Sequence, residues 1–311
     1  MTDAPEPLRR RVRARVLRGL TAASRVLPEP VLGGALGCAS GLMRFTRHEQ
    51  RVRDNLELAL GDHTTATERE RIARGVRRHS ARIFGEWIQL SKGGAGAWLD
   101  RHVEFDASID RLDARARAGT GVLIATAHLG NWEVLAAALR RRGFEGHVVG
   151  RQRQRDSSSN WLVDLRRSYG VETIPQDAPP RRLLETLRAG RTLGVLADLE
   201  VRRLAGEFVP FFGRPALTMT APAALARAAR LPVLPVRCIA GEHGYRIAVE
   251  PPLCLDEALD RRAAATDLLT RLNRVFETWI RETPEQWAWH QPRWRTQPEE
   301  PRDHGRPLRA R

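Results

Sequence analysis

The stretch GVLIATAHLGNWE, residues Gly121–Glu133, carries a predicted strand directly into a predicted helix. Gly121–Ala127 is an unbroken apolar run, the pattern of a strand buried on both faces. His128 ends it. Gly130 allows a tight turn, and Asn131 is placed to cap the helix that follows. Glu133 then falls in the first helical turn, where the helix dipole favours a carboxylate. Further along, strand-like runs at His147–Gly150, Val171–Ile174, Thr192–Ala197 and Pro232–Ile239 alternate with helical patterns at Asn131–Arg142, Ser157–Tyr169, Pro180–Ala189 and Thr218–Arg230. This alternation predicts an α/β fold with a mostly parallel central sheet flanked by helices. Tyr245–Val249 reads as a further short strand and 262–282 as a last amphipathic helix.

Before the alternating part lies a helical region. Residues 48–92 read as helix with a break at Gly61-Asp62, and Thr67 with Glu70 has the spacing of a capping box. Leu8, Val12, Val16 and Leu20 share one helical face within a run that holds seven arginines and no acid between Leu8 and Arg25. Such a helix either lies on an anionic membrane, with guanidinium groups at the headgroups, or packs on its own domain with solvated arginines. Gly33, Gly37 and Gly41 repeat every four residues, as in closely packed helices or a glycine-containing loop. The expected division is a basic amphipathic region over 1–47, the α/β domain over 48–295 and a disordered Pro- and Arg-rich tail over 296–311.

The 311 residues carry 52 basic and 37 acidic side chains, a net charge of +15. A surface of that sign suits anionic partners: phosphates, an anionic membrane face, nucleic acid or an acidic protein. All but one of the basic residues, Lys92, are arginine, so coding bias is a second source of the charge. Cys38, Cys238 and Cys254 fit no metal spacing and read as reduced core residues. No stretch reaches the ~20 apolar residues of a spanning helix.

In open α/β sheets, ligands bind beyond the carboxyl ends of the strands. His128, Arg151 and Asp198 each follow a predicted strand and converge if those strands are parallel neighbours. Glu133 is either a simple first-turn helix acid or a carboxylate folded back onto the imidazole. In the second case it fixes the ring tautomer, leaving the other nitrogen to take a proton from a hydroxyl. Backbone amides near Asn131 are the expected oxyanion donors. There is no G-x-S-x-G, no H-E-x-x-H, no phosphate-binding Gly-rich loop and no dinucleotide fingerprint. A histidine–acid pair without a protein nucleophile suits direct transfer of an activated acyl group.

These residues resemble a known family. H-x-x-x-x-[DE] at a strand end is the signature of the glycerolipid and lysophospholipid acyltransferases, and HLGNWE is similar to the branch of the late lipid A and phosphatidylinositol mannoside acyltransferases. Matching stretches follow in order: residues 51–60 and Glu68–Trp87, Leu165-Arg166 before Gly170, Asp198 with the GEFVPFFGRPA loop at 206–216, LPVLPV at 231–236, and EQWAW at 285–289 with Arg293-Trp294. The resemblance covers roughly residues 50–295. Two departures bear on the acceptor: Asp198-Leu199 stands where the lipid A branch usually has Asp-Gln, and Gly150–Asn160 is longer than the usual R-P-x-x-N segment.

The resemblance implies acyl transfer from a thioester of acyl carrier protein or coenzyme A to a hydroxyl of a membrane lipid, with no cofactor beyond that co-substrate. The implied acceptor is a lipid A-type glycolipid, with a phosphatidylinositol mannoside or lysophospholipid as alternative. The implied place is peripheral, on the cytoplasmic face of the bacterial inner membrane. His128 takes the role of general base and Glu133 orients it. Arg151 and Arg166 handle phosphates, Asn160 pairs with Arg151 in the R-P-x-x-N position, and Asp198 and Glu207 are candidates for a second acid that contacts the histidine or the acceptor. Trp279, Trp287, Trp289 and Trp294, within sixteen residues, are expected either at headgroup depth or as a core under the last helix. An apolar groove wide enough for a fatty tail is expected beside His128. The rival classes are a hydrolase on the same scaffold and a basic nucleic-acid-binding protein, the latter without a recognised motif.

Overall fold

The computed structural model describes residues 46–91, 95–152 and 157–298, together with Val12, Arg15, Val16, Gly19 and Ala22. The Gly33, Gly37 and Gly41 repeat, Cys38 and the chain beyond 298 lie outside the described residues, as does most of the basic N-terminal run.

The helical region is built from α1 (Arg47–Leu60) and α2 (Ala66–Leu90). The break falls at Gly61–His63, a single 3-10 turn. The capping box is formed by Thr65 and Glu68, not Thr67 and Glu70. The Thr65 hydroxyl accepts from the Glu68 amide at 3.2 Å, while the Glu68 carboxylate accepts from the Thr65 amide at 2.7 Å. The helix starts two residues earlier than the sequence signal suggested because two consecutive threonine pairs share the same spacing, and only one can terminate the chain's turn. After α3 (Ala95–His102), β1 (Val103–Phe105) and α4 (Asp110–Arg117), the alternating part begins. It runs β2 (Val122–Thr126), α5 (Trp132–Arg141), β3 (Gly146–Gly150), α6 (Ser157–Ser168), β4 (Glu172–Pro175), α7 (Pro180–Arg188) and β5 (Thr192–Leu196). A hairpin of β6 (Gly206–Phe211) and β7 (Arg214–Met219) follows, then α8 (Ala221–Ala229), β8 (Val233–Ala240), β9 (Tyr245–Val249) and α9 (Arg261–Glu282).

The seven-stranded sheet has the order β1-β9-β8-β2-β5-β3-β4. β8, β2, β5, β3 and β4 are parallel; β9 is antiparallel to β8 and carries β1 beside it. All five residues of β2 are buried, as its apolar run requires. Alternate side chains divide between two cores: Leu123, Ala125, Leu193 and Val195 pack with α8, α9 and the hairpin, while Val122, Ile124, Leu234 and Val236 pack with α3, α4 and α5. The mostly parallel α/β architecture is therefore as the sequence predicts.

Two expectations change and one open alternative is decided. Residues 206–219 form an antiparallel hairpin where a loop was expected. The four tryptophans are core: Trp279, Trp287, Trp289 and Trp294 are all buried, against Phe211, Phe212 and Phe276. The fold also extends past residue 295, because Thr296 is buried and both its amide and its hydroxyl bond to Glu200.

Candidate active site

β2 and β5 are adjacent and parallel, so the residues that leave their carboxyl ends meet. His128 and Asp198 are those residues. The Asp198 carboxylate faces His128 with both oxygens: Oδ1 lies 2.8 Å from Nδ1, and Oδ2 accepts the His128 amide at 2.8 Å. Oδ2 also accepts the Trp287 indole N–H at 2.7 Å. Asp198 is fully buried. Burial alone pushes its carboxyl up, but the neighbouring imidazole and these hydrogen bonds outweigh burial and hold it below the usual carboxylate range. A carboxylate on Nδ1 sets that nitrogen as the donor and leaves Nε2 with its lone pair. The His128 side chain is 21% exposed, so that nitrogen's side of the ring is within reach of a substrate.

The turn between His128 and α5 is held from three directions. Gly130 has φ +61, and a Cβ there would lie 1.7 Å from the Cys238 carbonyl oxygen, so only glycine fits. Its carbonyl accepts from His79 Nε2 at 3.2 Å. His79 is buried on α2, and burial lowers its pKa to about 4. Asn131 caps α5 as expected, accepting the Glu133 and Val134 amides at 3.2 Å each. The same side chain accepts from Trp87 Nε1 and donates to Glu86. The amides of Gly130 and Asn131 go to the Gln286 and Cys238 carbonyls. The amides of residues 130, 131, 133 and 134 are thus already spent, which removes them as the oxyanion donors expected at this helix start.

Glu133 does not orient His128. It lies one position further round α5 than Trp132, and its carboxylate turns to α6. Arg166 grips it there, Nε to Oε2 at 2.9 Å and Nη2 to Oε1 at 2.5 Å, and the Tyr169 hydroxyl donates at 2.6 Å. Both charges are buried. Burial works against the Arg166 cation, but the Glu133 charge more than offsets this and raises its pKa. Trp132 instead faces the histidine, its ring edge-on to the imidazole at 4.9 Å.

The same tryptophan lines an apolar cavity between the sheet and α5. Ile124, Thr126, Val148, Gly194 and Leu196 form its sheet side; Leu135, Ala136 and Leu139 face them, and Glu133 and Arg166 lie at its wall. It runs along the strands from the Thr126 and Leu196 end to Thr192 and Gly146 at the opposite edge. An apolar groove beside the histidine was expected; this cavity reaches Trp132, which touches the imidazole, while His128 itself is not among the residues that line it.

Of the remaining predicted site residues, Arg151 lies exposed just past β3, and Asn160 is half-buried on α6. Glu207, on β6, pairs with Arg262 at 3.1 Å and is not brought to the histidine. Trp287, His79 and Arg293 carry no site role in the sequence reading. The first two touch the histidine's supports directly. Arg293 is fully buried, donating to the Leu217 carbonyl and Thr218 hydroxyl at 2.9 and 2.8 Å, and burial lowers its pKa to about 10. The EQWAW and Arg-Trp stretches were the available signal for Trp287 and Arg293. Among the described residues there is no group of side chains suited to a metal ion and no helix long and apolar enough to cross a membrane.

Comparison with known proteins finds similar acyltransferases. A phosphatidylinositol mannoside acyltransferase of Mycobacterium tuberculosis is 29% identical over 282 residues, covering 88% of this chain and 85% of the relative. The Escherichia coli lipid A biosynthesis lauroyltransferase is 27% identical, covering 88% of both chains, and the palmitoleoyltransferase of the same organism is 25% identical. The family model of bacterial lipid A biosynthesis acyltransferases matches residues 14–296. With residues 14–296 matched, the chain is an acyltransferase and belongs to the bacterial lipid A biosynthesis acyltransferase family.

Proposed function

We propose that this protein moves a fatty acyl group from a thioester, carried by acyl carrier protein or coenzyme A, to a hydroxyl of a membrane glycolipid of the lipid A type. The observation that carries the reading is the His128 imidazole, held through Nδ1 by a buried carboxylate and in ring contact with Trp132, which lines an apolar cavity. The acyl chain occupies that cavity. Nε2 takes the proton of the acceptor hydroxyl as its oxygen attacks the thioester carbonyl. The C–O bond forms, the C–S bond breaks, and the departing thiolate recovers the proton from His128. Asp198 keeps the ring in the required tautomer and stabilises the imidazolium between the two transfers. The reaction uses the thioester as co-substrate and needs no cofactor. Arg151 and Asn160, near the sheet's carboxyl edge, are proposed to meet acceptor or donor phosphates. Arg166 is proposed instead to act through Glu133, as a wall of the cavity.

The enzyme works on a membrane surface in this reading, peripheral to the cytoplasmic face of a bacterial inner membrane. Val12 and Val16 support it: both are about half exposed, on helical residues of the basic run. A net charge of +15 also suits an acidic carrier protein and an anionic bilayer. A phosphatidylinositol mannoside is the second reading for the acceptor, favoured by the 29% identical relative so named. The test combines purified protein, a labelled acyl thioester and glycolipid acceptors of both types. His128→Ala should lower transfer by ~10²–10⁴-fold with the fold intact. Full transfer by this variant would remove His128 as the base, release of free fatty acid alone would make the protein a hydrolase, and comparing lipids of a deletion strain with its parent by mass would name the acceptor.

A further inference from the structure

The strap after α9 builds one side of the histidine site. Leu129 and Trp287 form an antiparallel bridge, the Ala288 amide donates to the His128 carbonyl at 3.0 Å, and the Gly130 amide donates to the Gln286 carbonyl at 3.1 Å. The Gln286 side chain fixes the strap to the end of β8, accepting from the Ala240 amide and donating to its carbonyl, both at 2.8 Å. Packing then sets the Trp287 ring. It meets Trp289 edge-on at 4.6 Å and lies 5.8 Å from Phe211. A ring held this firmly has one direction for its N–H, and that direction is Asp198 Oδ2.

Oδ2 therefore has two donors, the Trp287 indole and the His128 amide, while Oδ1 has Nδ1. The amide alone is a hinge about which a carboxylate can turn; two donors from different elements fix its plane. We infer that Trp287 is a positioning residue: its indole N–H, in the same buried site, locks the Asp198 carboxylate in the orientation that holds His128 Nδ1. The strap thereby couples the segment after α9 to a base that leaves β2 more than 150 residues earlier.

Trp287→Phe keeps an aromatic ring in the same packing and removes the donor. Trp289→Phe is the matched control, because its N–H goes to the Pro284 carbonyl and not to Asp198. The primary readout is the Nδ1–H resonance of His128 in the full-length, nitrogen-labelled protein, assigned by its loss in His128→Gln. The expected result is that Trp287→Phe moves this resonance upfield and broadens it by exchange, whereas Trp289→Phe leaves it in place. The kinetic readout rests on the acyl-transfer reading: kcat falls on the order of tenfold with KM unchanged, as for loss of a group that orients a reacting residue. An unmoved resonance, or one moved further downfield, in Trp287→Phe would overturn the inference. Where Trp287→Phe does not fold, benzothienylalanine at position 287 keeps the indole's shape and replaces its N–H with sulfur; the same shift is expected. Absence of acyl transfer in the parent protein would count against the acyl-transfer reading alone, since the resonance reports the geometry without substrate.

Discussion

Two buried carboxylates flank the exit of β2 and are used in opposite ways. Asp198 is surrounded by donors from an imidazole, a backbone amide and an indole. None of these donors is a permanent cation, and the buried Arg293, which acts on Asp198 through its charge, donates to Leu217 and Thr218 instead, so the carboxylate faces the histidine as that ring gains and loses a proton. Glu133 is clasped by Arg166, a permanent cation, and by Tyr169. Its charge is already neutralised, and what it does is join α5 to α6 along the cavity wall. The comparison teaches that a carboxylate serves an acid–base group only where its partner can change charge; otherwise it is an architectural bond.

The sharpest way to break this contrast is to exchange the chemistry at Asp198. Asp198→Asn preserves shape but allows the other ring tautomer, and transfer should fall by ~10³–10⁴-fold with little change in KM. An active Asp198→Asn enzyme would return the orienting role to another group. At the second carboxylate the loss should appear in stability. Arg166→Ala leaves Glu133 buried without its cation and should cost about 3–5 kcal/mol in denaturant unfolding, while Glu133→Leu with Arg166→Met should recover most of it. If the single variant is as stable as the parent, the ion pair is not the join described.

The smallest effect concerns the turn between the two. Burial keeps His79 neutral, its pKa lowered from 6.5 to about 4. The unfolded chain takes up this proton first, so the stability from a neutral His79 is complete above pH 6.5 and is lost as pH falls towards 4. The loss amounts to about 3 kcal/mol. Urea midpoints measured between pH 7 and pH 4.5 should fall, and His79→Phe should flatten that part of the curve while losing the bond to the Gly130 carbonyl. An equal slope in both proteins would mean that His79 does not carry it.

The main strands were legible because long apolar runs at a sheet's centre have no other stable place, and α5 was legible because Asn131 caps it. The hairpin was not. Its strands contain Pro210 and Pro215, residues that usually argue against a strand. They sit opposite each other in a two-stranded sheet outside the main one, where no further neighbour needs their missing N–H groups. The tryptophan cluster was ambiguous because spacing cannot tell a wet face from a dry one; α9 and Phe211 decided it. The His128–Glu133 pairing failed for a geometric reason. Successive helical residues are about 100° apart, so when Trp132 faces the imidazole, Glu133 faces α6.

Composition, periodicity and the strand–turn–helix stretch determined by themselves the α/β class, the alternation of strands and helices from β2 to β5 and the histidine at a strand's exit, because these depend on neighbours within a few residues. Which acid supports that histidine was decided only by tertiary structure. β5 lies beside β2 in the sheet, and the strap from beyond α9 returns to the same edge, so Asp198 reaches His128 across 70 residues of chain and Trp287 reaches Asp198 across 89. A hydrogen bond is governed by distance in space, and sheet order, which local patterns do not encode, sets that distance.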